Sequence, residues 1–224
     1  MKKIMILLSA VFFCLAPAAA ATADSLALKD ITGGIYSPGY VYGVTPMADG
    51  ESYSRLSDDR KRIVRHSFKT GKEIGTVFDV EKAKGVKLKG FDGYVLSPDE
   101  NRILIQTQTK AIYRRSFTAV YYIYDVRTGK LEPLSDGGPQ QVPLFSPDGN
   151  QVAFVRGGNL FLVKLLYGNA ESQVTKDGKF NEIINGIPDW VNEEEFSTNC
   201  SFGFSADSQM LAWVRYDESG VDIY

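Results

Sequence analysis

Three glutamates stand in a row at Glu193, Glu194 and Glu195, directly after Asp189-Trp190-Val191-Asn192 and just before Phe196. Two adjacent carboxylates on a short helical turn can both lean toward one ammonium ion, and charge-assisted bonds of that kind are about twice as strong as neutral ones. The same run also reads as a solvated charged face held down by Trp190 as a packing anchor, and composition alone leaves both readings open. Arg114-Arg115, taken by itself, reads as a pair on a surface strand. Other chemistry is sparse. His66 is the single histidine, sits in Arg65-His66-Ser67-Phe68, and reads as structural. Cys200 has no histidine near it in sequence and reads as a buried small hydrophobe. Gly33-Gly34 and Gly137-Gly138 are too short for phosphate loops, no Gly-x-x-x-x-Gly-Lys occurs, and no Cys/His spacing suits a metal, so no cofactor and no metal are expected. A serine nucleophile of the hydrolase type needs a Gly-x-Ser-x-Gly elbow. The 224 residues contain none, so no catalytic residue is assigned and the chain alone is expected to be inactive.

The elements that must position these residues read as strands. Val95–Gln108, Tyr121–Asp125, Gln151–Arg156 and Leu160–Leu165 are rich in β-branched, aromatic and leucine residues, and turn clusters bound them. No long stretch carries a helical period. A repeat narrows the architecture. Leu96-Ser97-Pro98-Asp99-Glu100-Asn101-Arg102-Ile103-Leu104 returns as Phe145-Ser146-Pro147-Asp148-Gly149-Asn150-Gln151-Val152-Ala153-Phe154, and again, altered, as Phe204 to Trp213, with a fainter copy at Ser57–Val64. The serines at 57, 97, 146 and 205 lie 40, 49 and 59 residues apart, which suits four-stranded propeller blades with growing insertions between them. Each repeat joins a tight turn to an alternating strand that packs between neighbouring blades. The expected fold is therefore all-β: an incomplete β-propeller of about three to four blades, from a longer protein or a truncated reading frame, preceded by a signal peptide.

That signal is read at residues 1–23, leaving 24–224 as the propeller portion. Lys2 and Lys3 precede the apolar run Ile4–Leu15, and Ala18-Ala19-Ala20 and Ala21-Thr22-Ala23 fit a cleavage site. The run is shorter than the roughly 20 residues of a spanning helix. Phe13 before Cys14 argues against a lipidated cysteine. A secreted or periplasmic location follows as an expectation, with an uncut N-terminal anchor as the alternative. The chain carries 25 basic and 27 acidic residues, a net charge of −2, which gives no footing for a nucleic-acid partner.

The segment Lys179–Glu195, with its Asp-Trp-Val-Asn-Glu-Glu-Glu, resembles the part of the dipeptidyl peptidase IV family that recognises a free substrate amino terminus. The family usually has an aromatic residue where this chain has Asn192. Tyr113–Asp125 and Phe204–Glu218 continue the resemblance, which runs from about Ile35 to the C-terminus. It implies that Glu194 and Glu195 grip the substrate α-ammonium, that Glu193 and Trp190 support them, and that Arg114 donates to a substrate carbonyl and orients the glutamates. Arg115 falls where the family often has His. It implies an expected eight-bladed ring, followed by a C-terminal α/β-hydrolase domain that these residues lack. It further implies a secreted serine exopeptidase that releases X-Pro or X-Ala dipeptides from peptides with a free N-terminus, and leaves a homodimer open for the full-length enzyme. The competing reading is a non-catalytic periplasmic propeller of the translocation-protein type, which binds protein partners. That class shares the Ser-Pro-Asp-Gly repeats but has no need of Asp-Trp-x-x-Glu-Glu-Glu.

Overall fold

The computed structural model describes residues 26–40 and 42–222; the expected signal peptide lies outside the described residues. The described residues fall into two compact units, 26–40 and 42–222. The first unit contributes the short helix α1 (Leu28–Thr32), which buries no residue. Among the described residues no helix is long and apolar enough to cross a membrane.

Strands dominate the second unit. β1 (Thr45–Pro46), β2 (Ser52–Leu56), β3 (Arg62–Ser67) and β4 (Glu73–Asp79) form an antiparallel sheet in sequence order. The two-residue β5 (Lys84–Gly85) lies parallel to the edge of the next sheet, whose meander is β6 (Gly93–Leu96), β7 (Arg102–Ala111), β8 (Phe117–Asp125) and β9 (Lys130–Pro133). A third four-stranded meander follows, with β10 (Gln141–Phe145), β11 (Gln151–Arg156), β12 (Asn159–Lys164) and β13 (Ala170–Gln173). After it come β14 (Ile183–Asn185), the helix α2 (Trp190–Phe196), β15 (Phe202–Phe204), β16 (Leu211–Trp213) and β17 (Arg215–Asp217); β14 pairs with β17 and β15 with β16. The strand expected over Val95–Gln108 is divided into β6 and β7, because the Ser97–Asn101 turn falls inside it.

All four sequence repeats fold into one turn. In each, the serine hydroxyl donates to the aspartate two residues on, at 2.5–2.6 Å: Ser57 to Asp59, Ser97 to Asp99, Ser146 to Asp148 and Ser205 to Asp207. The same carboxylate accepts the amide of Lys61, Asn101, Asn150 or Gln209, and the serine oxygen accepts the next amide at 2.9 Å. The faint copy at Ser57 is therefore a complete one. What its sequence lacks is the proline and the glycine, and neither makes these bonds. Position four of the turn is left-handed, with φ of 56° at Arg60 and Glu100, 69° at Gly149 and 62° at Ser208. Only Gly149 adopts it without steric cost. The turns also link neighbouring sheets: Ala48 N donates to Glu100 Oε1, Arg102 Nη1 to Gly149 O, and Asp148 N to Ser208 Oγ.

Strand alternation builds two cores. Ile103 and Ile105 on one face of β7 pack with Ile63, Phe78, Phe91 and Leu131, between the first two sheets. Leu104, on the other face, packs with Tyr121, Ile123, Val152, Phe154 and Val163, between the second and third. β7, buried on both faces, is the strand that runs out into the hairpin tip Ile112–Ser116.

Candidate functional site

The β7–β8 hairpin outgrows its sheet and ends in the tip Ile112–Ser116, closed by Ile112 N donating to Ser116 O at 2.9 Å. Arg114 and Arg115 occupy this tip. The acids sit on α2, seventy-odd residues later. Asp189 caps that helix, accepting Asn192 N at 2.7 Å, and the Asn192 side chain also donates to the Asp189 carboxylate. Asn192 thus closes the helix start on itself. Ser197, at φ 56°, ends the helix.

Successive helical residues point about 100° apart, so three consecutive glutamates face three ways. Glu193 turns inward and is 1% exposed. Its Oε1 accepts two backbone amides of the hairpin tip, Arg115 N at 2.8 Å and Ser116 N at 2.9 Å. A buried carboxylate is costly unless it is hydrogen-bonded, and these amides meet that need while tying the tip to the helix. Two further bonds reinforce the junction: Arg115 Nη2 donates to Ser197 Oγ at 3.0 Å, and Asn199 Nδ2 to Arg115 O at 3.1 Å. Arg115 is consumed in holding the junction. Arg114 is left 73% exposed, with its Nε 3.4 Å from Glu194 Oε2, whose side chain is 20% exposed. Glu195 is exposed, and among the described residues no hydrogen bond or ion pair reaches its side chain.

Helix stability does not explain these acids. Glu194 and Glu195 lie in the last turn, where the helix dipole disfavours negative charge, and no basic residue in that turn offsets them. The arrangement presents two carboxylates, one steadied by a guanidinium, on a scaffold locked by a third. Such a group can receive a cation that carries several hydrogen-bond donors.

The structure thus brings Arg114, Glu193 and Glu194 together and puts Glu195 beside them on the same helix. Trp190 departs from expectation. It is 56% exposed, so it is not a packing anchor, because the inward side of the helix's first turn is taken by the capping bonds and by Glu193. Cys200 is half-buried rather than buried, donates to Phe202 O at 3.5 Å, and has its thiol pushed up from the ordinary value by burial, which opposes any role as a nucleophile. His66 stacks on Tyr53 with ring centroids 5.1 Å apart, in keeping with a structural residue. Sequence reasoning missed Ser197, Asn199 and the amides of Arg115 and Ser116. Nothing local in the sequence signals that a backbone amide will meet a glutamate 78 residues away.

Residues 97–224 match the family model for the dipeptidyl peptidase IV (DPP IV) N-terminal region. A probable dipeptidyl-aminopeptidase B from Chaetomium globosum is 35% identical over 177 residues, covering 77% of this chain and 17% of that protein. Prolyl endopeptidase FAP from Homo sapiens is 32% identical over 204 residues, covering 90% of this chain and 26% of its own length. The crystal structure of Porphyromonas gingivalis dipeptidyl peptidase 4 superposes with a TM-score of 0.80 at 41% identity, over 88% of this chain and 28% of that one. The chain therefore spans well under a third of the length of these relatives.

Proposed function

This chain belongs to the dipeptidyl peptidase IV family, and from that premise we propose that it is the substrate-recognition part of a secreted or periplasmic serine exopeptidase that releases X-Pro or X-Ala dipeptides. In this reading residues 1–23 are a signal peptide, and the successive sheets of 24–224 are blades of an incomplete propeller, three to four of an expected eight. An α/β-hydrolase domain, which these residues lack, supplies the serine. The partners are peptides with a free amino terminus.

Glu194 and Glu195 receive the substrate ammonium. Two carboxylates near one point repel each other, so an arriving cation relieves that repulsion while forming charge-assisted bonds. Arg114 holds Glu194 in place and offers its remaining donors to a substrate carbonyl. Glu193 fixes the distance between the two elements, and Trp190 stands beside them at the helix start. Anchoring the first residue places the bond after the second in register with the nucleophile, which is how a clamp on the propeller measures out a dipeptide. The observation that carries this reading is the Arg114–Glu194 pair, held between two elements that buried Glu193 locks together.

The test is kinetic and uses the peptidase that contains this chain. Glu194→Gln or Glu195→Gln keeps the shape and removes one charge, and should lower kcat/KM for X-Pro substrates by about tenfold to thousandfold. Arg114→Ala should act in the same direction. Asp58→Asn, at a 97% exposed side chain in the first repeat turn, is the control. Cleavage by all three site variants at the wild-type rate would refute the assignment.

A further inference from the structure

Glu193 and Tyr113, the sequence neighbours of Glu194 and Arg114, line a cavity of about 370 Å³ whose walls include neither Arg114, Glu194 nor Glu195. Its floor is apolar, built from isoleucines of the hairpin tip, of β14 and of the approach to α2. Three aromatic side chains stand around it and none is covered: Trp190 is 56% exposed, Tyr113 is half exposed and Phe180 is 89% exposed. Phe180 and Trp190, both in the lining and both left in water, are apolar surface that an occupant would bury.

The polar groups in the walls specify the charge of that occupant. Asp189 and Glu218 both line the cavity. Burial, and after it the negative charge of Asp189, push the Glu218 carboxyl above the usual carboxylate range, and a nearby cation would favour its charged form. Lys179 is the only basic residue in the lining, and it is ion-paired with Glu182. The hydroxyl of Ser116 is buried there without a partner. An anion would meet three carboxylates, those of Asp189, Glu193 and Glu218. A neutral apolar molecule would strip water from them without replacing it. A hydrated metal ion would find aromatic rings where it needs oxygen ligands. A cation with an organic stem meets both requirements, since ammonium and guanidinium groups bind carboxylates and also sit favourably over aromatic faces.

We propose that this cavity is a second binding site, distinct from the ammonium clamp, that takes an organic cation: an ammonium or guanidinium head against Glu218 and Asp189, with a short apolar stem between Trp190, Tyr113 and Phe180. The head belongs either to a free amine or to a Lys or Arg side chain of a peptide. The site goes beyond the clamp and does not depend on it.

Isothermal titration of the peptidase that contains this chain tests it with two probes. One is 4-phenylbutylammonium, a free amine. The other is acetylated, amidated Gly-Arg-Gly, whose only cation is a side chain. At least one probe should bind about tenfold or more tighter than the neutral 4-phenylbutanol, and which one does so identifies the source of the head. Trp190→Ala and Glu218→Gln should each weaken that binding by about fivefold or more. Phe180→Ala, at a side chain too exposed to upset folding, should do the same and carries the test if another variant fails to fold. The clamp itself takes an ammonium, so the titrations are repeated in Glu194→Gln/Glu195→Gln, where the preference for the cation over the alcohol should persist, which separates this site from the clamp. Equal binding of the alcohol, loss of binding only in the double variant, or no binding of either cation at about 10 mM would overturn the proposal.

Discussion

Replacing Glu193 with alanine should free the hairpin tip while leaving the sheets intact. Glu193 Oε1 accepts the amides of Arg115 and Ser116 at 2.8 and 2.9 Å from a position 1% exposed. Hydrogen bonds to a charged group contribute about 1.5–3 kcal/mol each. The tip is partly exposed, so water recovers some of that in the variant, and the lower end applies: about 3 kcal/mol for the pair. At about 1.4 kcal/mol per factor of ten, that is roughly a hundredfold faster opening-limited exchange at these two amides. Amide hydrogen exchange resolved at Arg115 and Ser116 is the assay, with Ile105 in the core of β7 as the internal reference. Glu193→Gln retains an acceptor oxygen without the charge, and should stay within about tenfold of the wild type. Unchanged exchange at Arg115 and Ser116 in the alanine variant would refute the latch. Equal acceleration at Ile105 would contradict its local character, because Glu193 would then be holding the whole unit rather than the junction.

Further expectations follow from the scaffold. Gly85 has φ 91° and a Cβ there would lie 2.5 Å from Leu131 O, so Gly85→Ala should destabilise by about 2–4 kcal/mol in urea denaturation; a midpoint equal to the wild type's would contradict this. Phe154→Ala empties a fully buried site between the second and third sheets and should cost about 3–5 kcal/mol by the same measurement. Hydrogen bonds from Ser146 and from the Asn150 amide hold the Asp148 carboxyl below the usual range. A depressed carboxylate contributes stability above its unfolded value, near 3.9, and loses it as pH falls through the folded value. The wild type should therefore melt above Asp148→Asn at neutral pH, with the gap closing as pH drops below about 4; a gap independent of pH would exclude this source. The 224-residue chain, which has no Gly-x-Ser-x-Gly, should not hydrolyse Gly-Pro chromogenic substrates, and turnover blocked by a serine-directed reagent would overturn that.

Local chemistry made the scaffold readable. A serine and an aspartate two residues apart can satisfy a tight turn by themselves, so the four repeats announce their turns, and the alternation after each announces a strand. The acids at 193–195 were conspicuous for the same reason: charge runs are rare in strand-rich sequence. Which acid faces inward was not readable, because the helical twist that separates them only matters relative to a hairpin tip 78 residues earlier. Trp190 misled because a large aromatic beside charge usually packs, whereas here the capping bonds and Glu193 occupy the inward side. Glu100 looks idle in the sequence yet accepts the Ala48 amide and so joins two sheets, a long-range bond with no local sign.

The central claim, that Glu194 and Glu195 grip a substrate ammonium, is tested most directly by removing the ammonium instead of the protein groups. In the peptidase that contains this chain, kcat/KM is measured for an X-Pro substrate with a free or an N-acetylated terminus, in the wild type and in Glu194→Gln/Glu195→Gln. If the clamp is real, acetylation lowers kcat/KM by about a hundredfold or more in the wild type and by less than about tenfold in the double variant, because the partner of the lost charge is already gone. The same acetylation penalty in both enzymes would mean that the glutamates never touch the ammonium.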